Sequence, residues 1–78
     1  MTNSASASGS VTVSVSVNGE PREIAAGTML AAVVATLTQA TKGVAAALNE
    51  TVVPRGQWSC TAVADGDRVE VLTAVQGG

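Results

Sequence analysis

The sequence predicts a small α+β domain in which one helix packs on one face of a mixed β-sheet. Three observations predict it: an alternating apolar segment near each end of residues 11–75, one helical repeat of apolar residues between them, and turn-forming Asn-Gly and Asp-Gly pairs. A chain of 78 residues has room for a single hydrophobic core. That core must consist of Val, Leu, Ile and Ala, because Trp58 is the only aromatic residue.

The first segment predicts a β-hairpin. Residues 11–17 read Val-Thr-Val-Ser-Val-Ser-Val, which places four valines on one face of a strand and the hydroxyl side chains on the other. Asn18-Gly19 follows, the pair that most readily adopts the positive φ angles of a two-residue hairpin turn. We expect a second strand over about residues 21–25. Pro21 should lie at its start or on a sheet edge, since proline cannot donate a ladder hydrogen bond.

A helix is predicted over about residues 29–39. The apolar residues of this segment recur at i, i+3, i+4 and i+7: Leu30, Val33, Val34 and Leu37. Thr28 is the predicted N-cap. Lys42-Gly43 provides a stop signal, with a cation near the helix C-terminus and a glycine beyond it.

The second half of the chain predicts three further strands. Residues 44–48 form a short apolar run typical of a buried central strand, and Asn49-Glu50 is a turn into a brief strand at 51–53. Residues 54–58 are predicted to form a short helical turn or an irregular loop, with Trp58 folded back on the core.

The end of the chain completes the predicted fold. Asp65-Gly66-Asp67 is a turn signal, and residues 68–75 alternate again as the last strand. A hairpin, a helix and three more strands, with the first and last strands side by side, form a β-grasp or ubiquitin-like arrangement of four to five strands. We therefore divide the chain into a flexible leader (1–10), a β-grasp domain (11–75) and a flexible C-terminal tail (76–78).

Composition excludes several classes of function. The net charge of −2 and the scattered basic residues argue against nucleic-acid binding. Without histidine and with Cys60 as its one cysteine, the chain lacks the residues for a protein-only zinc site or an internal disulfide. It also has no signal-peptide pattern and no apolar run near the roughly 18 residues of a membrane span. These features predict a soluble protein of the reducing cytoplasm.

The residues predict a substrate for other enzymes rather than an enzyme. Histidine, the usual general base, is absent, and Cys60 has no basic partner; we expect it to be a small, half-buried hydrophobe. Asp65 and Asp67 are interpreted as turn formers and Trp58 as a core residue, ahead of metal binding or partner anchoring. The glycines match no phosphate-binding loop, so the chain should not bind ATP itself.

The last two glycines remain as the functional candidate. Gly77 and Gly78 place a carboxylate on a backbone without side chains, directly after a patterned strand. Glycine is expected wherever a backbone must approach catalytic groups closely. Such a tail can enter another protein's active site.

Several segments together carry a resemblance to a known family. They are Val17-Asn18-Gly19-Glu20, Thr28-Met29-Leu30, Ala47-Leu48-Asn49, Val53-Pro54-Arg55-Gly56-Gln57-Trp58, and Asp65-Gly66-Asp67-Arg68-Val69-Glu70-Val71 leading to Val75-Gln76-Gly77-Gly78. In these the chain resembles, over about residues 11–78, the ThiS family of ubiquitin-like sulfur carriers of thiamine biosynthesis. Val-Pro-Arg-x-x-Trp favours this branch. Molybdopterin-synthase small subunits usually have a proline-rich lead into the glycines, and here that stretch is Thr73-Ala74-Val75-Gln76.

The resemblance implies a mechanism and partners. An E1-like adenylating enzyme (ThiF type) would use ATP to adenylate the Gly78 carboxylate, and a persulfide sulfur donor would convert it to a thiocarboxylate. Thiazole synthase (ThiG type) would accept the sulfur. Gly77 would give the clearance to pass a narrow channel. The carrier itself would bind no cofactor or metal and would be a monomer when free. Leu72, Ala74 and Gln76 are the candidates for partner docking. The sequence leaves open which face of the last strand points to the core.

Two alternatives stay open at the level of sequence. The chain could carry sulfur for another pathway, as a small subunit of the molybdopterin-synthase type does. It could instead be a ubiquitin-like modifier or interaction module, whose binding would survive loss of Gly77 and Gly78.

Overall fold

One five-stranded mixed sheet and one main helix form the described part of the protein. A computed structural model describes residues 11–40 and 42–74. In chain order the elements are β1 (Thr12–Val17), β2 (Glu20–Ala25), α1 (Leu30–Leu37), β3 (Val44–Leu48), β4 (Thr51–Val53), a 3₁₀ helix (Arg55–Cys60) and β5 (Arg68–Thr73). The sheet order is β2-β1-β5-β3-β4, with β1 and β5 parallel and the other neighbours antiparallel. This confirms the predicted β-grasp fold with the first and last strands side by side. The predicted leader (1–10) and tail (76–78) lie outside the described residues.

The first hairpin forms as its sequence predicts. Asn18 and Gly19 have φ angles of 51° and 84°, the two positive values of a type I′ turn. β2 is an edge strand, which is where Pro21 was expected. Val11 precedes β1 and is exposed, so the predicted inward row of four valines is reduced to the three that lie within the strand.

The helix starts without the predicted cap. Its N-cap is Met29, which makes no side-chain cap hydrogen bond, and the Thr28 hydroxyl instead donates to the Ala25 carbonyl at 2.6 Å. A tertiary contact replaces the cap, since the Leu30 amide donates to the Thr61 carbonyl at 2.7 Å. The prediction for Thr28 was wrong because the residue that follows the 3₁₀ helix, in the other half of the chain, satisfies the helix start.

The helix also ends earlier than predicted. It stops at Leu37, and Thr38 is already extended, with φ −155° and ψ 148°. The Thr38 hydroxyl accepts a hydrogen bond from the Ala40 amide at 3.0 Å. Such local side-chain hydrogen bonds compete with helix continuation. Neither of the described helices is long and apolar enough to cross a membrane.

The core lies between α1 and the inner face of the sheet. Its buried residues come from α1, β1, β3, β5 and the segment around the 3₁₀ helix: Val15, Val17, Leu30, Val33, Val34, Ala46, Trp58, Val63, Val69 and Val71. Trp58 packs into this cluster, as predicted, and its Nε1 donates to the Val53 carbonyl at 2.8 Å. β3 has a strand on either side, but Ala45 is exposed, so the prediction of a fully buried strand was wrong. One face of β3 is open because no described element covers the outer face of the sheet there.

Candidate functional site

β5, the strand that leads to the terminal glycines, is held in the interior of the sheet. It lies between β1 and β3, so it has hydrogen-bonded neighbours on both edges. The Val44↔Thr73 pair closes the β3 side, and the Ala74 amide then donates to the Gly43 carbonyl at 2.6 Å. Hydrogen bonds therefore hold the backbone of this segment as far as Ala74. The predicted site residues Gln76, Gly77 and Gly78 lie outside the described residues.

Alternation along β5 decides which side chains face solvent. Val69 and Val71 are buried in the core, whereas Glu70 and Leu72 point to the opposite face. Leu72 is 73% exposed, although its strand lies in the interior of the sheet. The outward face is thus the one that carries Leu72. Ala74 is also exposed, beyond the end of the strand.

Leu72 belongs to an apolar surface that extends over three strands. The register pairs it with Ala45, and pairs Ala47 with both Glu70 and Val52. We call this surface the outer patch and define it as Ala45, Ala47, Val52 and Leu72, with Glu50 and Glu70 at its rim. Its residues line a shallow groove of about 320 Å³.

Sequence reasoning found Leu72 but missed the rest of the outer patch. Val52 is 71% exposed, so the patch presents two large apolar side chains to solvent. The strand period of two places Ala45 and Ala47 on one face of β3, but residues 44–48 are all apolar, so the sequence does not show which face is open. Interpreting residues 44–48 as buried on both faces concealed the open face, because small alanines suit either environment.

The charges at the rim of the outer patch are unequal. Glu50 forms an ion pair with Arg68 at 3.0 Å, between Oε2 and a guanidinium nitrogen. Glu70 has no ion pair among the described residues. An exposed apolar surface with an acidic rim suits a partner that presents apolar side chains and a basic group.

The two aspartates act as turn formers, as predicted. Asp65 Oδ1 accepts a hydrogen bond from the Ser14 amide at 2.8 Å. Asp67 accepts from the Asn49 side chain at 2.9 Å and, through Oδ2, from the Ala64 amide at 2.7 Å. Within the described part of the chain, no three His, Cys, Asp or Glu side chains are grouped as a metal site would require.

Cys60 differs from its prediction. It is exposed, and its thiol lies 3.5 Å from the Gln57 carbonyl at the end of the 3₁₀ helix. At three residues per turn, a residue two positions after Trp58 lies on a different side of this helix. Since Trp58 occupies the inward side, Cys60 faces solvent.

Fold and site together define a class of protein. The protein has a five-stranded mixed sheet, one packed helix, and an interior strand, parallel to β1, that leads to two glycines. These features place it in the ubiquitin-like β-grasp class. The model of the ThiS family matches residues 15–78, which includes both glycines. This chain belongs to the ThiS family.

Two relatives show how close the similarity is. The chain is 34% identical over 61 residues to the sulfur carrier protein ThiS of Escherichia coli (strain K12), covering 78% of this chain and 92% of that protein. It also matches the crystal structure of the thiamine biosynthesis protein ThiS from Geobacter metallireducens, with a TM-score of 0.69 and 32% identity. That match covers 85% of this chain and the whole of the Geobacter chain.

Proposed function

We propose that this protein is a sulfur carrier of thiamine biosynthesis and that Gly78 carries the sulfur as a thiocarboxylate. One observation carries the proposal: the family match continues through Gly77 and Gly78, which follow shortly after β5, a strand that has hydrogen-bonded neighbours on both edges and ends at Thr73. The names of the two relatives, a sulfur carrier protein and a thiamine biosynthesis protein, support the same pathway. A rigid base with a narrow tail is suited to presenting one reactive group to several enzymes.

The chemistry begins with activation, because a carboxylate is a poor electrophile. An E1-like adenylating enzyme of the ThiF type directs a Gly78 carboxylate oxygen to the α-phosphorus of ATP. Pyrophosphate leaves and an acyl-adenylate forms. A persulfide sulfur then attacks the acyl carbon and displaces AMP. A thiol cleaves the S–S bond, itself becoming a disulfide, and the thiocarboxylate remains on Gly78.

The carrier's own residues supply presentation rather than catalysis. Gly77 lacks a Cβ, so the backbone next to the reacting group can pass a narrow channel. ATP is consumed by the activating partner, and the carrier binds no cofactor. The product hands its sulfur to a thiazole synthase of the ThiG type. We propose that this takes place in the cytoplasm, where both ATP and reducing thiols are available.

We further propose that the outer patch is the surface on which partners dock. Leu72, on the strand that leads to the tail, and Val52, on β4, provide exposed apolar area on one face of the sheet. Ala74 and Gln76, which come between β5 and the glycines in the sequence, are further candidates for contact. Glu70 offers a carboxylate to a basic group on the partner. A shared docking surface would make the activating enzyme and the sulfur acceptor bind the carrier in turn.

Intact-protein mass spectrometry tests the proposal. The carrier is incubated with ATP, the adenylating enzyme and a persulfide donor. We expect a gain of about 16 Da, the excess of sulfur over oxygen, localised to Gly78 and dependent on ATP. An unmodified terminus with an active partner would contradict the carrier function, and conjugates on lysines of other proteins would indicate a modifier instead.

A matched pair of variants tests the role of the tail. Gly77→Val should abolish or strongly slow the mass gain and leave the fold intact. Gly56→Val is the control, because Gly56 lies in the 3₁₀ helix with open space around the position of a Cβ. Equal mass gains in both variants would show that clearance at residue 77 is unimportant.

A further inference from the structure

Two asparagines occupy equivalent places on either side of β5. Asn18 follows β1 and Asn49 follows β3, the two strands between which β5 lies. Their φ angles are 51° and 52°, so both are in the left-handed region. Asparagine is among the few residues other than glycine that tolerate this conformation. Each asparagine turns its chain away from β5 at the end of the flanking strand.

Asn18 continues the β1–β5 ladder after its own backbone has turned away. The paired register of these strands ends at Val17↔Val69. The Asn18 amide donates to the Val69 carbonyl at 2.8 Å, and the Val71 amide donates to Asn18 Oδ1 at 2.8 Å. The side-chain carbonyl thus takes the place of the next main-chain acceptor on a neighbouring strand.

Asn49 makes the corresponding contacts at the start of β5. Its amide donates to the Arg68 carbonyl at 2.8 Å, and the Arg68 amide donates to Asn49 Oδ1 at 2.9 Å. Its Nδ2 also donates to Asp67. The two asparagines therefore hold different parts of the same strand: Asn49 holds its first residue, and Asn18 holds Val71, which is closer to the tail.

We propose that Asn18 is a positioning residue for the C-terminal tail. On the β1 side of β5, among the described residues, the Asn18 side chain is the last group that holds the strand before it ends at Thr73. Without it, β5 beyond Val69 is hydrogen-bonded to the described residues only on the β3 side. Its last residues then sample more directions, and the tail is less well oriented when it meets the activating enzyme. The catalytic consequence rests on the proposed function, but the grip on Val71 does not.

Three variants distinguish the effect of the left-handed turn conformation from the effect of the side-chain hydrogen bond. Asn18→Gly keeps the left-handed conformation but removes the side-chain acceptor. Asn18→Asp keeps both, because Asp-Gly also favours a type I′ turn and a carboxylate oxygen can accept from Val71. Asn49→Gly is the matched control, since it makes the same chemical change beside the first residue of β5.

Amide hydrogen exchange of the full chain is the first readout. Removing one hydrogen bond of ordinary net strength should speed exchange at Val71 by roughly 2- to 12-fold in Asn18→Gly. In Asn18→Asp, the Val71 amide should exchange at the wild-type rate. Asn49→Gly should speed exchange of the Arg68 amide and leave that of the Val71 amide unchanged. The inference is overturned if Val71 exchange is unchanged in Asn18→Gly, or if Val17 and Val71 accelerate by the same factor.

Adenylation kinetics are the second readout, followed as ATP–pyrophosphate exchange with the adenylating enzyme. Asn18→Gly should raise the KM for the carrier by a similar factor and leave kcat unchanged, while Asn18→Asp and Asn49→Gly should match the wild type. An unchanged KM in Asn18→Gly would overturn the positioning role. If the wild-type carrier supports no exchange, the proposed function fails, and Val71 exchange still decides whether Asn18 holds the strand.

Discussion

The same substitution at two leucines should lower stability by very different amounts. Leu30 is fully buried, at 0% exposure, on the inner face of α1, whereas Leu72 is 73% exposed on the outer face of the sheet. Truncating each to alanine removes the same atoms. Only Leu30→Ala removes them from the core, so only this variant should lose substantial free energy of unfolding.

The expected magnitude follows from the packing around Leu30. Buried Leu→Ala changes cost about 2–5 kcal/mol, more when the neighbours cannot fill the cavity. The core around Leu30 is rich in valine, whose branched side chains are stiff at χ1 and cannot readily reach into the space. We therefore expect about 3–5 kcal/mol for Leu30→Ala. Leu72→Ala should cost less than about 1 kcal/mol, the span of strand propensity.

Urea denaturation followed by Trp58 fluorescence measures the difference. With an m-value of about 1 kcal/mol/M for so small a domain, the Leu30→Ala midpoint should fall by roughly 3–5 M. A domain of this size has about 3–10 kcal/mol of stability, so Leu30→Val, at about 1 kcal/mol, supplies a folded variant if Leu30→Ala unfolds. Equal midpoints for Leu30→Ala and Leu72→Ala would refute the reasoning, because they would place the two leucines in equivalent environments.

Three further predictions concern the core, a turn and the outer patch. Trp58→Phe should cost about 1–3 kcal/mol in urea denaturation followed by circular dichroism, because it removes the buried indole N–H that donates to the Val53 carbonyl. An unchanged midpoint would argue against this role. Gly66→Ala should lower stability by about 1–2 kcal/mol, since its φ is +85°, while Gly56→Ala should raise it by about 0.4–1 kcal/mol. Equal effects of Gly66→Ala and Gly56→Ala on stability would show that the turn does not need a positive φ at residue 66. Leu72→Asp should raise the carrier KM of the adenylating enzyme about 5-fold or more without changing the urea midpoint, and an equal rise in the exposed control Thr12→Asp would count against docking at the outer patch.

Local patterns predicted most of the fold because each depends on neighbouring residues. Alternating valines define β1, and Asn18-Gly19 adopts the turn that its φ preferences favour. The i, i+3, i+4, i+7 spacing found the helix, although its ends were wrong at Thr28 and Thr38. Helix ends depend on which groups satisfy the terminal backbone, and at Leu30 that group is the carbonyl of Thr61, far away in the sequence.

The surface was less predictable than the core. The exposure of Cys60 and Val52 depends on which side of an element another element covers, and composition does not contain that information. The hydrogen bond from the Val71 amide to Asn18 joins residues 53 positions apart in the sequence. It exists only because β5 is inserted between β1 and β3.

The sequence by itself determined the strands, the first turn, the helical face and the family to which the terminal glycines belong, since each of these is encoded in contiguous residues. Only the tertiary structure decided that Leu72 and Val52 form one surface, and that Asn49 and Asn18 hold the start and the middle of β5. The physical reason is the sheet order. Inserting the last strand between two earlier ones creates neighbours that no local pattern specifies, and it gives the tail a base fixed on both edges.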